Sequence, residues 1–190
     1  MKQLVSSCLL FLISIASFAG PSINEKHQVY TIDGTTAEQL RTQMLEHGLI
    51  DHGRRVDAMT HWYIKWHYTW HYDNPTENPC YVTHAQVRAD ISYAIPEWAN
   101  IQESAPALQT HWKNYINNLI THEEGHVGNA KQAASEIEQA LLNTQAASSC
   151  QTLKEELDNA ANTILQRHKN WDIQYDAETD HGRTQGAVFP

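Results

Sequence analysis

The sequence predicts an α+β domain: a small antiparallel sheet, chiefly one long aromatic hairpin, packed on two long antiparallel helices. Two observations predict it. From His61 to Tyr72, and again from Cys80 to Tyr93, large apolar side chains alternate with polar ones, as in half-buried strands. From Ala107 to Ala146, and again from Gln151 to about Trp171, apolar side chains recur at the spacing of an amphipathic helix. A length of 190 residues suits one such domain with a real core.

The domain is expected over residues 20–190, because the first 19 read as a secretory signal peptide. Lys2 precedes an apolar run from Leu4 to Ala16, and Ser17-Phe18-Ala19 offers small residues for cleavage. Cys8 lies too early for a lipoprotein cleavage site, and no later run reaches the roughly 18 apolar residues a membrane helix needs. The mature chain is therefore expected in the periplasm or the medium, without a membrane anchor. An oxidising compartment makes Cys80 and Cys150 a disulfide. The formal charge of −9, which becomes −10 without Lys2, argues against a nucleic-acid partner, and no basic patch tracks phosphates. Histidine is the compositional outlier, with all 12 beyond the leader.

Taken in order, residues 21–27 are polar and read as an extended lead-in to a short strand, Gln28 to Ile32, ended by Asp33-Gly34. Thr35 or Thr36 caps a helix to His47 with Leu40, Met44 and Leu45 inward, and Gly48 stops it. Leu49 to Arg55 is polar and turn-rich. In the first long strand Trp62, Ile64, Trp66, Tyr68, Trp70 and Tyr72 form the core face, and His61, His67 and His71 face solvent. Asp73 to Pro79 is a turn. In the second strand Tyr81, Thr83, Ala85, Val87, Ala89, Ile91 and Tyr93 share one side, until Pro96 breaks the pattern. On the first long helix Leu108, Trp112, Tyr115, Leu119, His122, His126, Ala130, Ala133, Ile137 and Leu141 form the inward stripe, with Gly125 and Gly128 as weak points. Leu153, Leu157, Ala160, Ile164, Leu165 and His168 line the second helix, and Asp172 to Pro190 reads as an irregular tail. The short loop makes the helices antiparallel neighbours.

Chemistry concentrates in Thr121-His122-Glu123-Glu124-Gly125-His126. Four residues apart on a helix, His122 and His126 share a face and reach one metal ion, while Glu123 lies beside it, placed to take a proton from water. His-Glu-x-x-His fixes only three positions, so its weight comes from context. It sits on the apolar stripe, where unliganded imidazoles and a carboxylate are costly to bury. A catalytic zinc needs a third protein ligand. At 1.5 Å per residue the two helical arms match in length, so the chain returns level with the motif between Tyr175 and His181. His181 is the preferred third ligand, with Gly182 allowing close backbone approach. Asp176, Glu178 and Asp180 compete for that place, or one of them orients a ligand histidine from behind. Tyr175 and Arg183 are candidate donors to a developing oxyanion, or else ordinary packing and surface charge.

The chain resembles the bacterial secreted proteins grouped as domain of unknown function 922, described as predicted zinc-dependent proteases. The resemblance is carried by Trp62 to Tyr72, Cys80, Ile95-Pro96-Glu97-Trp98, Trp112-Lys113-Asn114-Tyr115, His122 to His126, Cys150, Tyr175 to Gly182 and Gln185-Gly186-Ala187. It implies His122 and His126 as zinc ligands and Glu123 as the catalytic acid/base, and its tail motif agrees with His181. The metzincin pattern is not met, since Asn129 and Gln132 stand where that group has glycine and a third histidine. The expectation is an exported, zincin-like zinc metallopeptidase acting on peptide or protein substrates. Two other classes compete: an exported protein that binds zinc without catalysis, and an adhesive module that works through its sheet and holds no stoichiometric zinc.

Overall fold

The computed structural model describes residues 20–51, 53–72, 74 and 79–189. The leader expected over residues 1–19 lies outside the described residues, as does most of the turn expected from Asp73 to Pro79. The elements run β1 (Ser22–Ile32), α1 (Ala37–His47), β2 (Leu49–Asp51), β3 (Arg54–Val56), β4 (Met59–His71), β5 (Tyr81–Trp98), α2 (Pro106–Asn143) and α3 (Cys150–Thr179). Among the described residues the protein is a mixed α+β structure, with a small three-stranded sheet, a two-stranded hairpin and three α-helices.

The long hairpin forms, and its alternation holds along the middle of both strands; Tyr72, expected on the core face, lies past the end of β4 and is exposed. On β4 Ile64 is buried and Trp62, Trp66, Tyr68 and Trp70 pack on the core, while His61, His67 and His71 face solvent. On β5 the buried face is Ala85, Val87, Ala89, Ile91 and Tyr93, but Tyr81 and Thr83 point outward. The cause is a register shift: Thr69 pairs with His84 and Trp70 with Val82, so Thr83 is an extra residue that reverses the parity before it. β5 also continues through Pro96. Pairing with β4 ends at Met59 and Ala94, and a strand edge left free tolerates a proline.

The sheet itself departs from the expected antiparallel form. Its order is β1-β5-β4, with β4 antiparallel to β5 but β1 parallel to it, from Ser22 beside Arg88 to Ile32 beside Trp98. β1 is 11 residues long and includes the stretch read as a lead-in. From Ser22 to His27 nearly every side chain is exposed on an edge strand, so no alternation marked that half, whereas Gln28 to Ile32 forms the strand expected there. In the stretch Leu49 to Arg55, read as turn-rich, Leu49–Asp51 pairs antiparallel with Arg54–Val56 as β2 and β3.

α1 starts at Thr36 with a reciprocal capping box to Gln39, a feature that stabilises a helix by about 1 kcal/mol. Leu40 and Met44 are buried; Leu45, expected inward, is exposed at the rim of a cleft. α2 begins with Pro106 in its first turn, where the missing N–H costs nothing. Its stripe is buried from Trp112 to Leu141 as expected, and it divides between two cores. Trp112, Tyr115 and Leu119 pack with Ile32, Leu40, Met44, Trp98, Ala187 and Phe189. Val127, Ala130, Ala133, Ala134, Ile137 and Leu141 pack against the sheet and against Leu153, Leu157 and Ala161 of α3. His122 and His126 fall at the seam between the two.

α3 is the second departure. It was expected to end near Trp171, yet it runs to Thr179, where Asp180 closes it in the left-handed conformation. Neither proline nor glycine interrupts residues 172–179. The apolar period stops there because the inward positions become Asp172, Asp176 and Thr179, so the stripe goes on in polar residues. After a turn at Arg183–Gln185 the tail inserts Ala187 and Phe189 into the second core.

Cys80 and Cys150 form a disulfide, with Cα atoms 5.0 Å apart. Backbone hydrogen bonds between Cys80 and Ala147 flank it, and it ties the start of β5 to the start of α3. Across 70 residues such a closure stabilises by about 4 kcal/mol in the chain-entropy account. Among the described residues no helix is long and apolar enough to cross a membrane.

Candidate metal centre

His122 and His126 project from α2 toward α3, and Asp176 meets them from α3. Its Oδ1 lies 3.1 Å from His122 Nε2 and 3.1 Å from His126 Nε2. These three ligand atoms fall within 4.8 Å of one another. The contacts pair residue 122 with 176 and 126 with 172, numbers that run in opposite directions as two antiparallel helices require.

Each histidine is held from behind. His126 Nδ1 lies 2.8 Å from Asp172 Oδ1, and His122 Nδ1 lies 3.0 Å from Gln185 Oε1. Both Nδ1 partners accept only, so both Nδ1 atoms donate and the two Nε2 lone pairs converge with a carboxylate oxygen. Three acceptors facing one another attract only with a proton or a cation between them, and two imidazoles with one carboxylate are a donor set that suits zinc. The residues present therefore fit a metal.

The metal-free electrostatics agree. Burial opposes a charged His126, but hydrogen bonds to Asp172 and Asp176 outweigh it and raise its pKa to about 9. Burial likewise works against an ionised Asp176, yet its hydrogen bonds with His122 and His126 hold its carboxyl well below the usual range. The group is a proton trap made of the atoms that would ligate a cation.

Glu123 is 3 % exposed, and burial raises its pKa against the partial relief of a hydrogen bond from Thr60 Oγ1 to its Oε2 (2.6 Å). His122, Glu123, His126 and Asp176 open on a cleft of about 860 Å³, bordered by Met59 to Trp62 of β4 and by Ile173 of α3. Its far wall is pinned by Asp57. Both oxygens of that carboxylate accept from Arg41 Nη1, at 2.8 and 2.9 Å, and Oδ2 also accepts from Tyr115 Oη at 2.6 Å.

His181, the preferred third ligand, is brought near but not between the histidines. It is exposed, in the left-handed conformation, with Nδ1 3.6 Å from the Asp176 oxygen that both imidazoles share. Glu178 bonds Gln174 on the helix surface, and Asp180 pairs with Arg183 at 3.0 Å, so Arg183 is engaged outside the centre. Tyr175 stacks on His122 with ring centroids 5.0 Å apart and exchanges hydrogen bonds with Gln185, so its hydroxyl is turned from the cleft. Thr60 and Asp172 were not singled out by sequence, and Gln185 was marked only as part of a motif of the resemblance, without a role at the centre. Continuing the helical period past Trp171 would have put Asp172 and Asp176 on the inward face.

Gly125 explains one weak point of α2. A β-carbon there would stand 2.5 Å from the Tyr175 hydroxyl, and the ring cannot yield because it is stacked between His122 and Trp171. Gly128 faces open space. Gly125→Ala should therefore lower the urea midpoint by the equivalent of about 1–3 kcal/mol despite better helix propensity. Gly128→Ala should raise it by about 1 kcal/mol. Equilibrium unfolding of the two variants checks both signs.

Fold and site together define a class, a mixed α+β protein with a buried His/Asp cluster of metal-binding chemistry opening on a cleft. The chain belongs to the DUF922 family: the family model, described as a bacterial protein of unknown function, matches residues 27–182. No curated protein and no solved structure matches it.

Proposed function

We propose that this protein is an exported, zincin-like zinc peptidase, with His122, His126 and Asp176 holding the metal and Glu123 as general base. The observation that carries the reading is the convergence of two histidines, each pinned at Nδ1, on one carboxylate beside a buried glutamate at a cleft. Zinc, when bound, supplies a Lewis acid and a water acidic enough to react near neutral pH. Glu123, anchored by Thr60, takes the proton of the attacking water and delivers it to the leaving amine as the peptide bond breaks. Its raised pKa suits a group that must hold and release a proton.

The sheet favours a peptide as the substrate. Among the described residues β4 pairs only with β5, and its free edge at Met59 to Trp62 borders the cleft, so an extended chain can add there as a further strand. A leader peptide and a disulfide favour export to the periplasm or the medium. A protein that only carried zinc would have no use for Glu123 in so costly a position.

The test is metal content and hydrolysis on the same preparation. Purified protein should hold one zinc per chain and cleave members of a mixed peptide library, read by mass spectrometry. Zinc without cleavage would replace this reading with the zinc-binding one; no stoichiometric zinc would remove both.

A further inference from the structure

One turn beyond His126, Asn129 is buried between α2 and α3. Its two amide hydrogens are both used: Nδ2 donates to Asp172 Oδ1 and to the His168 carbonyl, each at 2.9 Å. Its oxygen can then only accept, and it accepts from Nδ1 of the buried His168 at 2.5 Å. Asp172 is in turn fully engaged, Oδ1 accepting from Asn129 and His126 and Oδ2 from Trp62 Nε1 at 2.7 Å. A carboxylate only accepts and every amide hydrogen is committed, so each bond in the chain has one direction. That direction puts the proton on His126 Nδ1 and leaves its Nε2 for the centre.

At its far end the chain reaches a separate recess. His168 Nε2 stands 3.3 Å from Glu136 Oε2, and Glu136 also takes Gln132 and Arg167. Two buried polar side chains, Asn129 and His168, facing each other at a helix interface are costlier than an apolar pair of the same shape would be, which is a poor way merely to join two helices.

We propose that Asn129 and His168 are positioning residues for the metal centre, holding Asp172, and through it the His126 ring, in the tautomer and orientation that bind a metal. This rests on His126 being a metal ligand, as read above, and requires nothing of the peptidase activity. Outer partners of this kind typically change metal affinity by about 10–100-fold.

Zinc affinity, measured on the full-length mature protein by competition with a chromophoric chelator, tests it. Asn129→Leu should weaken zinc by about 10–100-fold. His168→Leu should do the same, whereas His168→Asn, which keeps a side-chain N–H near the Nδ1 position, should recover most of the loss. Leu157→Ala destabilises α3 through the apolar core and should leave zinc affinity at the wild-type value. Should Asn129→Leu fail to fold, the His168 pair decides. Wild-type affinity in Asn129→Leu and His168→Leu, or an equal loss in Leu157→Ala, overturns the inference and leaves the metal centre standing. A wild-type chain that takes up no stoichiometric zinc removes the centre itself.

Discussion

Glu123→Gln is expected to keep its zinc and to cleave peptides at least about a hundredfold more slowly, the lower end of what a positioned general base contributes. The substitution is close to isosteric, and the Gln side-chain oxygen can still accept from Thr60. None of the converging ligand atoms is touched, so a zinc titration should match the wild type. Stability should move the other way. Burial raises the Glu123 pKa above its unfolded value, so the ionised carboxylate opposes folding at neutral pH and ceases to do so below the unfolded pKa. Glu123→Gln should therefore melt at or above the wild-type temperature at pH 7, with the difference vanishing in acid. A slow variant that is no less stable separates lost chemistry from lost structure. Equal turnover by the two forms would end the assignment of Glu123 as base.

The second large effect is expected at Asp176. Asp176→Ala should weaken zinc by more than about a hundredfold, beyond what the loss of an outer partner produces. His181→Ala should change it by only a few-fold, because His181 stands 3.6 Å behind the shared oxygen and is exposed. The opposite ranking would return His181 to the ligand set. The same titrations carry a pH signature. Metal-free His126 has a pKa of about 9, so below that pH zinc must displace a proton. Apparent affinity should rise about tenfold per pH unit until the proton is gone, then level off. Asp176 is one of the two carboxylates that hold this proton, so in Asp176→Ala the bend should come at lower pH.

Much of the fold was legible because its signals are local. The parity of Trp62 to Trp70 and the stripe from Trp112 to Leu141 each come from a backbone period acting within one element. Two of the departures share a cause. The first half of β1, Ser22 to His27, was too polar to alternate, and the last turns of α3 carry Asp172, Asp176 and Thr179 where a stripe would carry leucine. Hydrophobic period marks what faces a core, and it goes silent where an edge meets solvent or where the inward face is a site.

The same division runs through the centre. His122, Glu123 and His126 were determined by the sequence alone, because four residues on an α-helix place two rings on one face whatever surrounds them. The arm lengths also brought the segment around Tyr175 level with them. Which of its side chains enters was decided by how α3 packs along α2 over its whole length. That packing turned Asp176 inward, put Asp172 and Gln185 behind the two rings, and brought Thr60 from β4 onto Glu123. These contacts join residues 46 to 63 positions apart, a range over which no local period carries information.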